Sequence, residues 1–207
     1  MNRKRFLITY KVGFALLALI AMIAQLANGL ENQDFNTVNF FSYFTVESNL
    51  FAVVIFLMSA QAIATKRQDK ELESLRGAAT FYMLTTGVIY NLFLTGVGVH
   101  TPLPWVNFVL HNLFPLVVLL DWLYDRPRRT FEPKSSLIWL SFPLVYAVYT
   151  LVRGHFTHWY PYPFIDVAKH GYGTVILNCL LLALGMIAAA VIVGKLPAAI
   201  PKRPAKK

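Results

Sequence analysis

Forty-four consecutive residues, Gly77 to Leu120, contain no Asp, Glu, Lys or Arg. About 20 apolar residues span the hydrocarbon core of a bilayer, so a run of that length holds two crossings. Thr101-Pro-Leu-Pro104, in its middle, supplies the turn between them, because proline cannot donate a helical hydrogen bond. A chain with this centre belongs in lipid.

Four further charge-free stretches, Val12 to Leu30, Ser48 to Thr65, Ser135 to Val152 and His170 to Gly194, come close to the spanning length or exceed it. The expected fold is all-α: a polytopic membrane protein with six transmembrane helices at about 8–29, 39–64, 77–99, 105–124, 135–153 and 171–194. With 57% of its 207 residues hydrophobic and 14% charged, the chain needs no separate soluble domain, and residues 1–207 read as one. No internal repeat is found, which weighs against a carrier built from two related halves.

Of the 19 Lys and Arg residues, 17 lie in the N-terminal segment, the second and fourth loops and the C-terminal tail, leaving Arg153 and Lys169 on the other side. Positive residues are retained on the cytoplasmic face, so both termini are expected to be cytoplasmic, in a bacterial cytoplasmic membrane. In a soluble protein a net charge of +9 would raise the question of nucleic acid. Here the cations sit at helix ends with no aromatic platform among them, so topology and anionic lipid account for them and no nucleic-acid partner is expected. The basic start precedes an apolar run longer than that of a secretory signal, and it is read as the first span. Cys179 is alone, which excludes an internal disulfide, and it suits a small packing residue better than a nucleophile.

At about 1.5 Å per helical residue, four spans present Thr45, Asn91, His111 and Asn178 roughly 9 to 12 Å below the outer face. Thr45, Ser48 and Asn49 share a helical face, as do Asn107, His111 and Pro115, and Gly87, Asn91 and Thr95. Polar groups are costly against hydrocarbon, so these faces are expected to meet around a polar chamber open to the outer leaflet. Asn91 or Asn178 taken singly also suits the amide glue common between membrane helices. In His111-x-x-x-Pro115 the proline leaves the carbonyl of residue 111 free and bends the helix beside a titratable group. Such an imidazole is able to take the proton of a Thr hydroxyl at the same depth; a neutral histidine satisfied by an amide neighbour is the plainer alternative.

The segments Asn39-Phe-Phe-Ser-Tyr-Phe-Thr-Val-Glu-Ser-Asn49 and Val109-Leu-His-Asn-Leu-Phe-Pro115 resemble the androgen-induced and androgen-dependent membrane hydrolases and their prokaryotic six-span relatives. The resemblance covers most of the chain in span order and loop length, and only Tyr-x-Thr and His-x-x-x-Pro are specific. Asp121-Trp122-Leu123 and Tyr160-Pro-Tyr-Pro-Phe-Ile-Asp166 also look like the prokaryotic branch. The resemblance implies a membrane-embedded threonine hydrolase of fatty acid esters of hydroxy fatty acids, with Thr45 as nucleophile and His111 as general base. It implies no cofactor, and a lipid acyl ester as the partner, entering from the outer leaflet. Candidate oxyanion or substrate contacts are Ser48, Asn49, Asn91, Asn112 and Asn178, with Arg153 or Lys169 for a substrate carboxylate.

The loop after the fifth span gathers His155, His158, Asp166 and His170, a donor set that zinc accepts, and a metal-dependent hydrolase is one alternative. The intervening Trp159, Tyr160 and Tyr162 read more simply as an aromatic interfacial belt or lid, and no metal ligand is assigned. Tyr146 and Tyr149 offer hydroxyl donors to the chamber or belong to the same belt. Asp121 and Asp125 read as an interfacial anchor partnered by Arg126 and Arg128. A transporter or lipid-binding protein would need polar residues continuing below Asn112, where the sequence turns aliphatic.

Overall fold

The computed structural model describes residues 2–67, 69–96, 103–128 and 130–199. The end of the expected third span, the start of the Thr101–Pro104 turn, Arg129 and the C-terminal Lys202, Arg203, Lys206 and Lys207 lie outside the described residues.

Six helices are long and apolar enough to cross a membrane. They are α1 (Arg3–Leu30), α3 (Phe44–Thr65), α4 (Lys70–Leu94), α5 (Pro104–Tyr124), α6 (Pro133–Thr157) and α7 (Val167–Ala199). A five-residue helix, α2 (Thr37–Phe41), precedes α3, and no strand occurs among the described residues. Local chemistry sets the ends. Asn2 Oδ1 accepts the Lys4 amide of α1, and Asp69 Oδ1 accepts the Glu71 and Leu72 amides of α4. Those amide bonds, the one from Leu72 foremost, hold the Asp69 carboxyl below its usual range. Pro104 and Pro133 open α5 and α6 at positions that need no amide hydrogen. The expected sixth span, from residue 171, begins in the structure at Val167; Gly171 lies inside α7 with φ 72°, a left-handed value that suits glycine and kinks the helix.

One boundary changes the site. A continuous second span over 39–64 is expected, but the chain turns at Ser42 and Tyr43, and the spanning helix begins at Phe44. Ser42 ends α2 by bonding Val38 O through both its amide, at 3.1 Å, and its hydroxyl, at 2.6 Å. Its carbonyl accepts the Tyr146 hydroxyl at 3.0 Å, and its Oγ pairs with Tyr149 OH at 2.8 Å. Thr45 therefore stands in the first turn of a helix and not part-way down one.

Small residues bring α1 against α3: Ala15, Ala18 and Ala21 recur every three positions, and with Ala52 they are fully buried. α4 is the most enclosed span and α7 the least. Trp122 Nε1 donates to Val193 O at 2.9 Å, tying α5 to α7, and Trp139 Nε1 donates to Ser74 Oγ at 3.2 Å, tying α6 to α4. At the end of the bundle where α1 and α4 begin, Asp121 is buried and ion-paired with Lys11 and, at 3.0 Å, with Arg76. It also accepts the Tyr10 hydroxyl, while Asp125 meets Lys11 at 3.4 Å and Arg76 at 3.3 Å. The expected pairing of Asp121 with Arg126 and Arg128 gives way to this cluster, because α1, α4 and α5 converge there.

Candidate active site

α5 is not uniformly α-helical. Its turn from Val109 to Leu113 widens to a π-helix just ahead of Pro115, and α4 carries a second π segment from Tyr90 to Leu94. His111 lies in the first and stacks on Tyr90 of the second, ring centroids 4.0 Å apart and 23° from parallel. The ring is further fixed by Asn107, whose main-chain oxygen lies 3.1 Å from His111 Nδ1. A carbonyl oxygen only accepts, so Nδ1 is the donor in this contact, and in the neutral ring Nε2 is left with a lone pair. That lone pair faces Thr45 Oγ1 at 3.2 Å.

Two features press α3, α4 and α5 together here. Asn49 Nδ2 donates to Thr45 O at 2.8 Å and to Leu110 O at 3.3 Å, so one amide bridges the turn of the nucleophile candidate and the turn of the imidazole. Gly87 of α4 allows the close approach: a Cβ there would lie 3.2 Å from His111 O and 3.3 Å from Pro115 Cβ. Ser48, fully buried, hydrogen-bonds Thr45 O at 3.2 Å and Thr86 Oγ1 at 2.9 Å, so its hydroxyl is built into the helix packing.

Thr45 opens on a cavity of about 420 Å³ lined by α3, α4, α6 and α7, where Thr85, Thr86, Tyr146 and Tyr162 are among the few polar residues. Leu144 and Leu180, 66% and 58% exposed, stand at its rim, so it is open sideways to hydrocarbon. A second apolar groove of about 440 Å³, between α4 and α7, shares Thr85, Ile89, Phe164 and Met186 with the first.

The other sequence candidates are distributed around this centre. Asn91 Nδ2 donates to Gly87 O at 2.8 Å and Asn112 Oδ1 at 3.0 Å; the pair lines a separate groove with Pro115, on which His111 also opens. Asn178 Nδ2 donates to Phe164 O at 2.8 Å, anchoring the loop between α6 and α7. Arg153 donates to Asn39 Oδ1 at 2.6 Å and lies 4.8 Å from the Trp159 ring centroid, a clamp between that loop and α2. His155 Nδ1 is 3.0 Å from Tyr172 OH. No three His, Cys, Asp or Glu side chains come together as a ligand set among the described residues.

Two contributors were missed by sequence reasoning. Tyr90 gives no signal there beyond its place in a long apolar run. Tyr162 reads as belt or lid, yet its hydroxyl receives the Thr45 amide at 3.4 Å. Burial pushes its phenol up to about 12. In comparisons with known proteins, no family model, curated protein or solved structure matches the chain.

Proposed function

We propose that the protein is a membrane-embedded lipid ester hydrolase in which Thr45 is the nucleophile and His111 its general base. One observation carries this reading: His111 Nε2 lies 3.2 Å from Thr45 Oγ1 while the opposite ring nitrogen lies 3.1 Å from a main-chain carbonyl. That is the relation a hydroxyl nucleophile needs, a base in hydrogen-bond reach and a group that orients the base. The resemblance of the Tyr-x-Thr and His-x-x-x-Pro segments to membrane threonine hydrolases points the same way.

In the first step Thr45 Oγ1 bonds to the acyl carbon as its proton passes to His111 Nε2 and the carbonyl electron pair moves onto oxygen. Collapse of the adduct breaks the bond to the alcohol oxygen, which takes the proton back from His111. Water, deprotonated by the same nitrogen, then releases the acid and restores Thr45. The Asn107 carbonyl stabilises the imidazolium that forms between steps.

Two apolar grooves that share a wall suit an ester joining two hydrocarbon arms, as in fatty acid esters of hydroxy fatty acids. Their sideways mouths favour a substrate drawn from the bilayer. With the cationic loops on the cytoplasmic side, the dyad belongs to the outer half of the membrane. Below the dyad α5 buries Phe114 and Val118 in a packed apolar core, which favours a dead-end chamber over a transport path.

The test is hydrolysis of a synthetic fatty acid ester of a hydroxy fatty acid by purified protein in nanodiscs. Acid release by the wild type and none by Thr45→Ala supports the reading; equal release by both overturns it.

A further inference from the structure

The first amide hydrogens of a helix have no helical partners and are usually met by a Ser, Thr, Asp or Asn side chain at the N-cap. In α3 that position is Tyr43, which supplies no side-chain cap. Two of the amides are met from across the bundle: Phe44 N–H donates to Tyr146 OH at 3.2 Å, and Thr45 N–H donates to Tyr162 OH at 3.4 Å.

The two hydroxyls differ in their surroundings. Tyr146 donates its own proton to Ser42 O at 3.0 Å, so it closes the turn that starts α3. Tyr162 stands beside both the amide and the side chain of Thr45, is only 7% exposed, and lines the cavity on which that threonine opens. The asparagines are engaged elsewhere. Asn49 gives its amide hydrogens to Thr45 O and Leu110 O, Asn178 bonds Phe164 O, and Asn91 and Asn112 line another groove.

On the reading that Thr45 is the nucleophile, we infer that the Tyr162 hydroxyl is the donor that receives the oxyanion when Thr45 attacks an ester carbonyl. As the bond from Oγ1 to carbon forms, the carbonyl electron pair moves onto oxygen and the Tyr162 O–H bond points its hydrogen at that oxygen. The phenol keeps its proton, and the proton of Thr45 goes to His111. The amino end of α3 adds its positive field at the same spot. Because the phenol is buried and pushed up to about 12, it stays a donor throughout the pH range of an ordinary assay.

The fold holds this hydroxyl in place. The Tyr162 ring lies parallel to Phe164, 5.4 Å between centroids and 3° between planes, and packs T-shaped with Tyr43 at 5.8 Å. Asn178 bonds Phe164 O at 2.8 Å, tying α7 to the loop that carries Tyr162.

Tyr162→Phe keeps the ring contacts and deletes the hydroxyl. In ester hydrolysis by the full-length protein, kcat is expected to fall about 10²- to 10³-fold with KM little changed, as when one oxyanion donor is removed. Wild-type kcat in Tyr162→Phe beside an inactive Thr45→Ala overturns the inference and leaves the nucleophile standing. Activity retained in Thr45→Ala overturns both. A second variant guards against misfolding: 3,5-difluorotyrosine at position 162 keeps ring and hydroxyl but ionises at lower pH. It is expected to bring a new alkaline loss of kcat into the measurable range, and an unchanged pH profile overturns the inference.

Discussion

The side-chain amide of Asn49 donates to the Leu110 carbonyl at 3.3 Å, across the gap between two spans, while also holding Thr45 O at 2.8 Å. The π turn in α5 leaves that carbonyl in need of a donor, and the amide that meets it also fixes the turn of Thr45. The bond thus couples helix geometry to the 3.2 Å spacing between Thr45 Oγ1 and His111 Nε2.

Asn49→Leu keeps the volume roughly constant and removes both bonds. Leaving a buried carbonyl unmet costs about 1–3 kcal/mol, so melting in detergent is expected to drop measurably. Ester hydrolysis is expected to fall at least about 10-fold as the dyad loosens, since small misplacements of reacting groups cost that much or more. Unchanged kinetics would show that α3 and α5 are registered by other contacts.

Gly87 offers a test from the third helix. Gly87→Ala places a methyl 3.2 Å from His111 O and 3.3 Å from Pro115 Cβ, both on rigid parts of α5. Helix α5 must shift by a few tenths of an ångström, carrying the imidazole with it. A loss of kcat larger than the loss of thermal stability is expected, and Gly87→Val should deepen both.

The buried charges at the other end of the bundle predict a stability effect distant from the dyad. Asp121→Asn leaves Lys11 and Arg76 with Asp125 as their one carboxylate partner among the described residues. Breaking a buried ion pair in this way typically costs about 3–5 kcal/mol, so the variant is expected to melt well below the wild type. Protein that remains folded should keep its KM.

Alkaline pH reads out the burial of Tyr162. Desolvation raises its folded pKa to about 12, above the value of about 10 for an exposed phenol. The folded state therefore binds the proton more tightly, and the stabilisation is complete below about pH 10 and lost as pH rises toward 12. Melting curves between pH 8 and 12 are expected to fall more steeply for the wild type than for Tyr162→Phe. Parallel curves would place the hydroxyl in water.

The spans were readable because charge-free runs of this length have few other uses, and the approach of Thr45 to His111 was readable from their common depth. The break at Ser42 was not, since no Gly or Pro marks it and the local bonds to Val38 O are joined by bonds to Tyr146 and Tyr149 on α6. The arrangement of the asparagines is not legible for a related reason: sequence gives their depth, but only packing decides which side of a helix meets which neighbour. Asn91 spends its amide on Gly87 and Asn112, and Asn178 on a loop carbonyl. Lys11 and Asp121 read as helix-end charges because sequence gives their depth and not the convergence of α1 and α5 that buries them.

A fluorophosphonate that mimics a lipid ester, followed by peptide mapping of the adduct, tests the nucleophile itself. A single adduct on Thr45, formed slowly or not at all in His111→Ala, is the outcome the dyad predicts. An adduct on Ser48 or any other hydroxyl, or equal labelling of Thr45→Ala, would contradict it.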